Sequence, residues 1–143
     1  MDTLNFDKAK REVGSNHTPR EYYDFIVSGQ SLKTILDIES ADFISPFGWE
    51  IDKESDRQLL NVFMLKEKSQ LASGRIMFYV CPECGDIGCG AITAKINDFG
   101  DRIIWSDFGY ETDYGGLTEK YKQVKPIEFN KADYFLALSK IST

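Results

Sequence analysis

Three cysteines fall within a stretch of nine residues, at Cys81, Cys84 and Cys89, and their type and spacing suggest metal chemistry first. Cys81-Pro82-Glu83-Cys84-Gly85 has the form of half a zinc knuckle. In such a turn the two thiolates meet one tetrahedral ion, and the glycine lets backbone amides face the sulfurs. A ribbon needs a second pair, and this chain adds only Cys89, which leaves the fourth position to His17, Asp86, a water or a second chain. Zinc held by Cys81, Cys84 and Cys89 is therefore the alternative to a plainer reading. In that reading no cofactor binds, and the three are small buried residues packing a tight turn. Thiol redox chemistry fits least. Gly85, Gly88 and Gly90 follow the cysteines, where a redox pair wants a helix N-terminus to lower the thiol pKa.

A second cluster is acidic. Asp98, Asp101, Asp107, Glu111, Asp113 and Glu119 face Arg102 alone over that span. Trp105, Asp107, Tyr110, Glu111, Asp113 and Tyr114 then describe an acidic, aromatic-flanked rim of the kind that binds a basic protein surface. The bland alternative is a set of solvated loop charges. An enzyme using Asp107 or Glu111 as a general base is a third reading, and it needs an enclosed pocket around one of them. The single imidazole, His17, supports neither a Ser–His nor a Cys–His pair. Asp107-Phe108-Gly109 matches the kinase metal-binding triplet in letters only, because the phosphate loop and catalytic loop are missing.

Composition narrows the partners. Lys and Arg number 17 against 23 Asp and Glu, a formal charge of −6. Phosphate backbones repel such a surface, so no nucleic acid is expected, whereas a basic protein is steered toward it. No apolar run approaches the roughly 20 residues that cross a bilayer. Residues 1–18 are polar and lack the apolar stretch of a secretory signal. Clustered cysteines are not a secreted disulfide framework, which points to a reducing, cytoplasmic setting. In that setting the Asn16-His17-Thr18 sequon is chance.

The elements that must position these residues form one α+β domain over residues 19–143, after a flexible lead-in at 1–18. Tyr22, Tyr23, Phe25, Ile26 and Val27 predict an N-terminal strand that ends at Ser28-Gly29. Ser31 caps a short helix carrying Leu32, Ile35 and Leu36, and a second helix begins near Ser55, in capping-box spacing with Gln58. Alternation predicts an antiparallel meander of 74–81, 89–96 and 102–108, with a turn at 97–101. Residues 125–129 suit a short edge strand, and Asn130 caps a last helix. Two or three helices then cover the apolar face of the sheet.

The segment Cys81-Pro82-Glu83-Cys84-Gly85-Asp86-Ile87-Gly88-Cys89-Gly90-Ala91, followed by Trp105-Ser106-Asp107-Phe108-Gly109-Tyr110, resembles a group of small bacterial proteins of unknown function. They share a Cys-Pro-x-Cys-Gly-Asp-x-Gly-Cys-Gly-Ala hairpin and a Trp-x-Asp-Phe-Gly-Tyr strand end. The likeness runs from about Tyr22 to Leu138 and implies a bacterial source and a common fold, without a mechanism. The residues themselves lead to a non-catalytic binding protein, an immunity protein that neutralises a basic toxin.

Overall fold

The computed structural model describes residues 1–11, 19–50, 52–83, 87–112, 116–118, 121 and 124–141. Among these residues, two antiparallel sheets and three α-helices make up the α+β fold. The first sheet is β1 (Leu4–Arg11), β2 (Arg20–Val27) and β3 (Gln30–Ser31), in that order. Ser28 and Gly29 both take positive φ, 50° and 84°, so the β2–β3 hairpin closes on a turn whose twist suits the strands. Ser31 then caps α1 (Leu32–Leu36), accepting the Lys33 amide.

The second sheet holds β4 (Ile76–Val80), β5 (Ala91–Asp98), β6 (Arg102–Thr112), β7 (Gly116–Thr118) and β8 (Ile127–Asn130). The long β6 is its spine. One edge pairs with β5, while the other pairs with β8 along Arg102–Trp105 and with β7 along Tyr110–Thr112. A bulge separates those halves, because Thr93 faces Gly109 whereas Lys95 faces Ser106. Helix α3 (Lys131–Ser139) follows β8 directly, capped by Asn130 through the Asp133 amide.

The core is aromatic. Phe25 of β2 lies 5.3 Å from Phe78, 5.6 Å from Phe63 and 5.6 Å from Trp105 between ring centroids. Most of these pairs are tilted or edge-to-face, the arrangement the ring quadrupoles favour. Phe63 belongs to α2 (Lys53–Phe63), so that helix, α3 and the first sheet together cover the apolar face of the second sheet.

Two expectations change. The lead-in at 1–18 contains strand β1, which pairs with β2 from Leu4↔Val27 to Arg11↔Arg20. Its sequence is mostly polar, and pairing with an aromatic neighbour, more than local propensity, decides its conformation. Residues 12–18, with His17, lie outside the described set. Helix α2 begins one turn early, because the Asp52 carboxylate accepts the Glu54 amide and the Ser55 hydroxyl. The helix ends at Phe63.

Candidate functional sites

The acidic rim comes apart when its members are placed. Trp105 is fully buried (0% exposed), with its indole N–H 3.2 Å from the Tyr134 hydroxyl, which in turn donates to the Phe63 carbonyl. This corrects its expected role at the rim: an even-odd strand pattern points Ile103 and Trp105 into the core together, and a partner cannot reach them. Tyr110 is half-buried, its hydroxyl donating to the Cys89 carbonyl at 3.3 Å and its ring beside Phe43. Asp113 and Tyr114 lie outside the described residues.

Asp107 and Glu111 enter a polar network on the sheet face opposite the aromatic core. The buried Arg75 is its hub. Arg75 Nε donates to Thr93 Oγ1 at 2.8 Å, and Nη2 donates to the Thr93 carbonyl at 2.9 Å and to the Asp107 carbonyl. Its charge is met by Asp107 Oδ2 at 3.5 Å and Glu111 Oε1 at 3.6 Å. Lys95 adds a second cation, 3.2 Å from Asp107 Oδ2. Glu111, buried in strand β6, has both oxygens engaged: Oε1 by Thr93 at 3.0 Å and Oε2 by Ser73 at 2.8 Å. Two cations and two carboxylates cancel, so these acids project little net field. Asp107 holds φ 64°, the left-handed region, at the bulge, which aims its carbonyl at Arg75 and its carboxylate at both cations.

The cysteine turn is held from outside. Arg11 Nη1 lies 2.7 Å from Glu83 Oε1, and its Nη2 lies 2.6 Å from Asp42. Those two carboxylates raise the Arg11 pKa further above the usual guanidinium value, the Asp42 hydrogen bond most of all. Arg20 donates to the Pro82 carbonyl at 3.0 Å and stacks on Trp49 at 4.6 Å. Cys81 is a free, half-buried thiol, whereas Cys89 is exposed and disulfide-bonded, which corrects the picture of three small buried residues and removes the cysteines as a sign of a reducing setting. A disulfide sulfur offers no thiolate, so zinc on all three cysteines would first require reduction. Cys84 lies outside the described residues, and no group of three or more metal-ligating side chains occurs among the described ones.

A further site escaped the sequence. Between α2 and the start of β4 runs a cleft of about 320 Å³. Leu59, Val62, Ile76 and Met77 line it together with Trp49, and Asp52 and Asp56 stand among its polar members. Asp52 is the N-cap of α2 and Asp56 lies in its first turn, close enough for their charges to interact. The Asp56 pKa is raised, first by partial burial and then by the charges of Asp52 and Glu50. Among the described residues none of these three carboxylates takes part in an ion pair. The signal in the sequence is the alternation Glu50, Asp52, Glu54, Asp56 just after Trp49, which at first sight is only an acidic helix start.

No helix of the described residues is long and apolar enough to cross a membrane. No family model, curated protein or solved structure matches the chain.

Proposed function

We propose that this chain is a non-catalytic binding domain for a basic protein, acting as a cytoplasmic immunity protein that neutralises a toxin. The observation that carries the reading is the pairing of an overall charge of −6 with two carboxylates, Asp52 and Asp56, that line an apolar cleft and form no ion pair among the described residues. Complementary fields steer association, and a desolvated apolar centre supplies the affinity. The sheet-margin acids contribute less, since Arg75 and Lys95 already balance Asp107 and Glu111.

The test joins binding with protection. The chain is titrated calorimetrically with the purified product of the adjacent gene in its native host, and cells making that product are assayed with and without the chain. A stoichiometric complex with restored growth supports the proposal. A neighbour that forms no complex and harms no cell counts against it.

A further inference from the structure

We propose that the cleft between α2 and β4 receives one lysine or arginine side chain of the partner, its aliphatic stem on Leu59 and Met77 and its cationic head at Asp56 and Asp52. This inference rests on the reading that the partner is a basic protein, and it assigns the contact that reading leaves unspecified.

Three observations converge on the cleft. Its floor is apolar: Leu59 and Val62 come from one face of α2, and Ile76 and Met77 from the strand beside it. Long cationic side chains bury their methylene stems on such surfaces while the charged end stays with polar groups. The cleft is also small, about 320 Å³, near the lower bound of ligand sites and suited to one extended side chain.

The charge at the lip is of the right sign, and neither Asp52 nor Asp56 forms an ion pair among the described residues. Asp52 is fixed in place by its capping bonds to Glu54 and Ser55, which hold its carboxyl below the ordinary carboxylate range and keep it ionised. Asp56 follows one turn later, with its amide bonded to the Asp52 carbonyl at 3.0 Å. Two like charges in adjacent turns repel, and Asp56 is partly desolvated as well, so the free protein holds an arrangement that a cation would relieve. On the far side Trp49 cannot swing freely. Its indole N–H donates to the Ser45 carbonyl at 2.9 Å, and Arg20 lies over its ring. The wall is therefore set before a guest arrives, which lowers the ordering cost of binding.

The probes are capped pentapeptides Gly-Gly-X-Gly-Gly, with X as lysine, arginine, norleucine or diaminopropionic acid, titrated into the isotopically labelled full chain. Norleucine keeps a stem without charge, and diaminopropionic acid keeps the charge without a stem. The expected result is saturable shifts at the Trp49 indole and the Leu59 amide with lysine and arginine only. Asp56→Asn, which should fold at least as well as the parent, weakens those peptides by about fivefold or more, the equivalent of one modest ion pair, while Asp101→Asn leaves them unchanged. Equal responses to norleucine, to diaminopropionic acid or in Asp56→Asn would overturn the assignment, as would shifts scattered over all exposed acids. Selective peptide binding without any basic protein partner would refute the proposed function and leave the cleft's preference standing. A partner complex indifferent to Asp56→Asn would do the reverse.

Discussion

Buried charge sets the balance around Arg75, where one guanidinium serves two carboxylates, a hydroxyl and two carbonyls. Removing Glu111 leaves that cation inside the protein with a weakened counter-charge, and breaking a buried pair in this way costs about 3–5 kcal/mol. Glu111→Ala should therefore lower the free energy of urea unfolding by about that amount, with Glu111→Gln falling between it and the parent, since the amide oxygen still accepts from one of the two hydroxyls, Ser73 or Thr93, while the counter-charge is lost. Asp56 predicts the opposite sign. Its folded pKa lies above the unfolded value near 3.8, so its ionisation disfavours the native state. The stability it lends is whole below the unfolded pKa and is lost as pH rises through the folded one. Thermal melts should show Asp56→Asn above the parent at pH 7 and level with it at a pH well under 3.8. At this scale the sequence was half legible. Acids such as Glu111 and Asp107 stand out in it, but their partners, Arg75 just ahead of β4 and Lys95 in β5, are distant in the chain, and nothing local announces the contact.

Strands and helices were easier to foresee where an apolar period was strong and harder where neighbours supply the order. The meander, the strand at Tyr22–Val27 and the caps at Ser31 and Asn130 follow from alternation and side-chain chemistry within a few residues. Strand β1 does not, since Asp7, Lys8 and Lys10 give it no apolar run. Leu4 is nevertheless buried and Phe6 sits 5.5 Å from Phe25. Leu4→Ala should destabilise the fold by about 2–3 kcal/mol in chemical denaturation, as for other buried leucines. A loose arm would lose nothing. The cysteine turn offers a second check. Gly90 has φ +86° and lies under Tyr110, so an added Cβ would meet the tyrosine hydroxyl. Gly90→Ala should cost about 1–3 kcal/mol from backbone strain and collision together. Placing it on a Tyr110→Ala background should recover only part of the loss, because the backbone conformation stays strained.

Over the whole molecule, charge and shape make different contributions. The excess of carboxylates is legible from composition alone, but its effective location is not. The acids Asp107 and Glu111 of β6 are balanced by cations, whereas Asp52 and Asp56 at the start of α2 form no ion pair among the described residues. Association with a basic partner should accordingly weaken several-fold between about 0.05 and 0.3 M salt, with most of the change in the on-rate. Stopped-flow mixing over that range measures it, and the salt slope should flatten in Asp56→Asn. The fold class was accessible because antiparallel layers with one wet face leave an alternating trace. The cleft was not, since it is the meeting of a helix face, a strand end and a loop distant in the chain.

The left-handed corner at Asp107 has a consequence for how reliably the sheet assembles. Strand β6 serves three neighbours, so a slip of one residue would misalign the whole second sheet and turn Trp105 and Ile103 out toward water. The same slip would move the corner onto Ser106 or Phe108. Phe108, a bulky buried ring, tolerates that backbone shape poorly. The wrong frame is penalised at both the core and the corner, and the bulge works as a ratchet tooth that lets the three neighbours close in one alignment.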